Sequence, residues 1–419
     1  MRIFAQRHWI PPAALIFAQC SHGFAWVLVL WIAWSAHVGD ALYGFAWVHA
    51  VALGWVTMAA LAILIHALPN FIDVPWRFET VARWSIALYG FGVALLLFGF
   101  LGRISVLPVG AGLLLFALLV YLATAFVTIA SAMRDRAAEH AVQRAVARAF
   151  AGTFSFLVVA AAIGFALALA LASRAFAGMS SALSAVHANL AALGWLSLLI
   201  FGVSQRTIRP ITGATTRMRV AHILVGSLAV VGVPLLAIGL AAQTWTITWI
   251  GAGLFGLSSL IYSVDVLDVI RRARNPHRPP QAFIVAGMFW LMVSLALGAG
   301  VLIGKPWQRA YIFVFLMGWV GQYVNAHLYH IGIRLLATIY RGEEDETEPQ
   351  ELLETRLSWF SWYAFQVAIG VMVYALLTGE GSLLARGAIF GITGWIAMMA
   401  NVLAARARAR VLPRTLILR

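Results

Sequence analysis

Twelve runs of apolar residues, bounded by charged or turn-forming positions, make up most of this chain. They cover 11–35, 43–67, 83–102, 108–132, 150–173, 183–204, 222–242, 246–270, 281–303, 311–336, 357–377 and 385–405. The runs are continuous and do not alternate between apolar and polar, so they predict helices and not the strands of a barrel. At a rise of about 1.5 Å per residue, some 20 residues cross the hydrocarbon of a bilayer. A helix also satisfies its own backbone groups there, where no water can. The pattern therefore predicts an all-α polytopic membrane protein of about 12 transmembrane helices. It forms a single transmembrane domain over 1–419.

Composition strengthens that reading. Of the 419 residues 63% are hydrophobic and 11% charged. A soluble globule of this size leaves too much of its surface in water to hide so much apolar material. Lipid is the expected solvent and partner.

The net charge is +14. Such a balance could signal nucleic acid, but here the arginines sit in short loops between the apolar runs. Loops after even-numbered runs carry Arg77 and Arg83; Arg134, Arg136, Arg144 and Arg148; Arg206, Arg209, Arg217 and Arg219; and Arg271, Arg272, Arg274 and Arg278. The tail adds Arg406, Arg408, Arg410, Arg414 and Arg419, whereas loops after odd-numbered runs carry at most two basic residues. This bias sets orientation in a membrane and places both termini in the cytoplasm, with no nucleic-acid partner. The N-terminal segment has no small-residue cleavage site and reads as part of a first helix. Residues 343–354 hold seven acids in twelve positions, as a solvated linker or a docking strip for a basic partner does. The one cysteine, Cys20, allows no disulfide within the chain.

A tetrapeptide recurs: Leu53-Gly54-Trp55-Val56, Leu193-Gly194-Trp195-Leu196 and Met317-Gly318-Trp319-Val320. The copies fall in the second, sixth and tenth runs, four helices apart. This predicts three four-helix units with approximate boundaries 1–149, 150–280 and 281–419.

Ionisable groups are expensive in hydrocarbon, so each one there is a functional candidate. The only carboxylates within runs are Asp265 and Asp268, and Asp268 has Arg272 four residues on as an ion-pair partner. The remaining candidates are histidines. His8, His37, His140 and His277 fall in loops or the N-terminal segment. His222 opens the seventh run, and His22 stands alone in the first, a packing residue or a ligand. His49 and His187 lie at similar depth in the second and sixth runs, away from the arginine-rich side. His66 closes the second run, and His327 and His330 lie three residues apart near the arginine-rich end of the tenth. Neutral imidazole ligates metal ions and haem iron, and helical bundles hold cofactors between facing helices. No Cys-x-x-Cys-His motif exists for covalent haem attachment.

Twelve helices, three units of four, and histidines on helices 2, 6 and 10 resemble the catalytic subunit of the haem-copper oxidase superfamily. That superfamily includes nitric oxide reductases, and the NnrS-type haem- and copper-containing membrane proteins share a related plan. The resemblance covers the whole chain as architecture and a few residues as motif. It implies a haem ligand at His49, a copper ligand at His187 and haem ligands at His327 and His330. Family members space the helix 10 pair by one residue and place it farther from the cytoplasm. Their paired copper-binding histidines of helix 7 have no counterpart here, nor do their proton-channel acids and lysine.

The resemblance thus implies a haem-binding protein of electron transfer, gas binding or respiratory and nitric oxide stress metabolism, and not a complete oxygen reductase. It would reside in a bacterial inner membrane and meet a redox partner or respiratory subunit. Two cofactor positions remain open. One joins His66 to His327 or His330, with Arg206 and Arg209 facing the propionates of a haem b. The other sets a haem or metal ion, copper included, at His49 and His187. The alternative function is transport, or haem or metal handling, without a redox role.

Overall fold

The computed structural model describes residues 10–35, 40–135, 141–173, 180–217, 220–276, 278–341 and 349–411. Every long element among them is helical. There are twelve runs: α1 (Ile10–Trp34), α2 (Ala41–Ile72), α3 (Glu79–Phe100), α4 (Leu107–Asp135), α5 (Ala141–Ser173), α6 (180–212), α7 (Ala221–Ala241), α8 (Trp245–Arg271), α9 (Pro279–Leu302), α10 (308–341), α11 (Thr355–Thr378) and α12 (Gly381–Val411). Eleven are long and apolar enough to cross a membrane. The remaining run, α10, is helical throughout but carries Gln322, Asn325, His327 and His330. The chain is an all-α polytopic membrane protein.

Several helices outrun the apolar stretches that announce them. α6 continues through Arg206 and Arg209 to residue 212, α10 to Arg341 and α12 to Val411. Arginine is a good helix former, so the backbone coils on past the point where the side chains turn basic. Loop chemistry sets other ends. Pro279 and Pro280 open α9, where missing backbone donors cost nothing, and Gln281 accepts the Arg278 N–H at 3.1 Å. Gly379, at φ +78°, closes α11 in the left-handed conformation.

The described residues group into two compact units. The first takes its residues from 1–18, 42–210 and 214–272, and so holds α2–α8; the second takes them from 19–41, 211–213 and 273–419, with most of α1 and α9–α12.

In the first unit, α7 and α8 form a hairpin whose backbones touch. A Cβ on Gly232 would lie 2.9 Å from the Phe255 nitrogen, and one on Gly251 would overlap the Leu236 nitrogen. Small residues permit such contact where water offers no hydrophobic drive between helices. In the second unit a chain of amides crosses the bundle. Trp290 Nε1 donates to Gln366 Oε1 at 2.8 Å, and Gln366 Nε2 donates to Gln322 Oε1 at 2.8 Å. Outward positions are apolar: Phe91 and Phe116 are each about 60% exposed, as side chains facing lipid are.

Each copy of the repeated Gly-Trp tetrapeptide lies in a π-helical segment: Ala50–Thr57, Leu190–Ser197 and Val314–Val320. The hydrogen bonds there run to the fifth residue instead of the fourth, an uncommon arrangement that often marks functional positions. Trp55, Trp195 and Trp319 are all fully buried. Within the first unit, Trp195 Nε1 donates to Thr57 Oγ1 at 2.9 Å and so ties α6 to α2. Tyr89 OH donates at 3.1 Å to the Leu53 carbonyl inside the first π segment.

Candidate functional site

His49 is the last α-helical residue before the first π segment of α2. Its Nδ1 lies 2.7 Å from the Phe45 carbonyl, one turn back. A carbonyl oxygen only accepts, so Nδ1 carries the proton and Nε2 keeps the lone pair.

His187 lies on α6, two residues before its α-helical stretch gives way to the second π segment. Its Nδ1 is 2.8 Å from the Ala160 carbonyl of α5. That oxygen is reachable because the next turn of α5 presents Gly164. A Cβ on Gly164 would stand 2.8 Å from His187 Cε1 and 3.2 Å from Nδ1. A helical carbonyl has a second lone pair for the imidazole, and the glycine leaves room for the ring.

The two rings stand 6.2 Å apart between centres, with planes 16° from parallel. Phe100, at the end of α3, covers His49 at 5.0 Å and also meets Phe45. Neither Nε2 has a hydrogen-bond partner among the described residues. A ring N–H fixed on a backbone carbonyl, with the other nitrogen left as donor, is the arrangement that orients metal-bound histidines. With metal–nitrogen bonds of about 2 Å, one metal centre joining two imidazoles sets their ring centres roughly 6 Å apart. The donor set is two neutral nitrogens, which suits haem iron, copper or zinc and not a hard oxygen-seeking cation. Among the described residues no group of three or more His, Cys, Asp or Glu side chains is placed to hold a metal ion.

Of the other candidates, His66 differs in how its ring is held, whereas His327 is anchored as His49 is. His66, in the first unit at the arginine-rich end of α2, has a buried Nδ1 with no hydrogen-bond partner, so nothing of the kind that holds His49 and His187 orients its ring. His327, in the second unit, bonds through Nδ1 to the Tyr323 carbonyl at 2.7 Å and lies against the Tyr323 ring. His330 follows in a further π segment, Leu328–Gly332. A π turn advances fewer degrees per residue than an α turn, so the two rings diverge more than α spacing provides. His66 thus belongs to one unit, and His327 and His330 to the other. Arg206 is half-buried and Arg209 exposed, both on α6 in the first unit.

His22 lies on α1 within the second unit. It is fully buried, its Nε2 accepts the Trp26 indole N–H at 3.1 Å, and its ring lies on Phe365. Asp268 pairs with Arg272 at 2.6 Å, and Asp265 accepts the Thr216 hydroxyl. His8, His37 and His140 lie outside the described residues, as does His277.

Sequence reasoning matched His49 and His187 by depth but missed Ala160, Gly164 and Phe100. Two of these act through a backbone carbonyl and through the absence of a side chain. The glycine could have been found only by asking which small residue of α5 faces a histidine. No family model matches the chain, and a search of the curated proteins finds no match either.

Proposed function

We propose that this chain is a haem- or copper-binding integral membrane protein and that its metal centre is held by Nε2 of His49 and Nε2 of His187. The observation that carries the proposal is the near-parallel pair itself, 6.2 Å apart, with both Nδ1 atoms committed to backbone carbonyls. Two half-buried imidazoles brought within 6.2 Å of each other in hydrocarbon are costly unless something uses them.

Haem iron or copper held there would supply a one-electron couple, which suits electron transfer. The chain's own residues would hold the rings and fix their tautomers, with Phe100 packed against His49. In this proposal both termini are cytoplasmic, the membrane is a bacterial inner membrane, and electrons come from a redox partner. Complete oxygen reduction is outside the proposal, since no helix 7 histidine pair is present for a second metal.

The test is a pyridine haemochrome assay with metal quantification on one purified sample, beside His49→Ala and His187→Ala. Near-stoichiometric haem or copper in the parent, and its loss from both variants, supports the proposal. A parent protein free of both metals overturns it in favour of a transport or handling role.

A further inference from the structure

The ends of α10 and α12 carry a second constellation, unrelated to the histidines and contained within the second unit. Tyr340, on the last turn of α10, receives two guanidinium groups. Arg406 Nε donates to its hydroxyl oxygen at 2.9 Å and Arg410 Nη2 at 3.0 Å. Both groups also lie over the phenol ring, at 6.0 and 4.9 Å from its centre. Two like charges one helical turn apart are thus gathered on one neutral oxygen.

Among the described residues no carboxylate pairs with either arginine. Glu354, at the start of α11, is paired with Arg408, which also donates to the Leu352 carbonyl at 3.0 Å. Arg341 spans the Arg408 and Ala409 carbonyls at the end of α12. Like charges at i, i+4 repel, and a phenol offsets little of that. An anion would offset it through charge-assisted, forked hydrogen bonds.

The depth of the cluster says which anion. One turn before the arginines on α12 stands Leu403, 62% exposed, and beside Tyr340 on α10 stands Ile339, also exposed. Apolar side chains facing outward give way to arginines within a single turn, as happens where acyl chains give way to headgroups. We propose that Arg406, Arg410 and Tyr340 form a binding site for the phosphate of an anionic phospholipid.

The test uses the full purified chain in neutral detergent and reads thermal unfolding with added phosphatidylglycerol, phosphatidylcholine or inorganic phosphate. Phosphatidylglycerol should raise the Tm by several degrees and phosphatidylcholine should not. The R406Q/R410Q double variant should lose most of that rise, while Arg406→Lys keeps part of it, having charge without the fork. Should the double variant fold poorly, retained phosphatidylglycerol measured by native mass spectrometry on Tyr340→Phe gives a second readout, with weakened retention expected. Equal effects of the two lipids overturn the proposal, as when the acidic stretch 343–354 already satisfies the arginines. An equal rise with inorganic phosphate alone also overturns it, because the site then takes a soluble anion.

Discussion

His49 and His187 stand 6.2 Å apart with nearly parallel rings, but they are anchored differently. His49 is held by its own helix, at the Phe45 carbonyl. His187 is held by a neighbour, at the Ala160 carbonyl of α5. The spacing of the pair therefore depends on how α5 packs against α6, and Gly164 is the residue at that contact. A site on rigid helices whose rings are locked by hydrogen bonds is preorganised, and it is sensitive to small displacements of the supporting helix.

Gly164→Ala is expected to damage the site more than the fold. The added methyl would sit 2.8 Å from His187 Cε1, so the ring must move off the Ala160 carbonyl. Overpacking of this kind costs about 1–3 kcal/mol, and the better helix propensity of alanine returns up to about 1 kcal/mol of it. Metal or haem occupancy should fall several-fold while the Tm changes by a few degrees. Full occupancy with an unchanged spectrum would show that Gly164 does not position the ring.

The Trp195–Thr57 bond predicts a measurable coupling between two π segments. Both side chains are fully buried, and the indole N–H has its acceptor at 2.9 Å. Trp195→Phe and Thr57→Val should each destabilise the protein. The double variant should be less destabilised than the sum by about 0.5–1.5 kcal/mol, the range of interhelical hydrogen bonds in membranes. Strict additivity in a denaturation cycle would mean the bond contributes nothing.

Helix number was readable because each span writes its own apolar run. Helix ends were not, since an arginine-rich turn coils as well as an apolar one, and α6 and α10 show it. The polar character of α10, with Gln322 and Asn325 buried, lowered its hydropathy without unwinding it, because Gln322 finds partners in Gln366 and the Met317 carbonyl at 3.2 Å. The Gly-Trp repeats marked three places in the sequence. That all three are π-helical could not be read there, because a shift from the fourth to the fifth residue has no side-chain signature. His49 and His187 could be paired by depth, whereas Ala160 could not be assigned at all, since any residue offers a carbonyl.

Glycine substitutions in α8 should separate contact from propensity. At Gly251 an added Cβ overlaps the Leu236 backbone, while at Gly253 nothing lies within 4 Å. Gly251→Ala should force α7 and α8 apart and lower the yield of folded protein severely. Gly253→Ala should be neutral or raise the Tm slightly, since alanine is favoured over glycine in a helix by roughly 0.5–1 kcal/mol. Equal behaviour of the two variants in size-exclusion and thermal assays would contradict the close hairpin.

Topology gives an independent check. The turn between α7 and α8 centres on Gln243, and the connection from α8 to α9 contains Asn275. Reporter fusions after these two residues should report opposite sides of the membrane, with the Asn275 side cytoplasmic because it carries Arg271, Arg272, Arg274 and Arg278. The same side for both would break the assignment of α8 as a span.

Substitution can also decide between the two places considered for the metal centre. His66 lies toward the arginine-rich end of α2, and His327 and His330 toward that of α10. His49 and His187 lie in the other halves of their helices. The difference on which the prediction turns is how His66 is held, since His327 is anchored on the Tyr323 carbonyl as His49 is on that of Phe45. His66 has a buried Nδ1 without a partner, whereas His49 and His187 each place that proton on a carbonyl. A ligand ring with no orienting bond samples several rotations, and losing such a bond typically costs 10–100-fold in metal affinity. His49→Ala and His187→Ala are therefore expected to empty the centre, while His66→Ala and His330→Ala leave occupancy and spectra near those of the parent. Because no covalent attachment motif is present, any haem should also leave on acid–butanone extraction. Should His66→Ala and His330→Ala lose the cofactor while His49→Ala keeps it, the centre lies at the arginine-rich end and the carbonyl-anchored pair is structural.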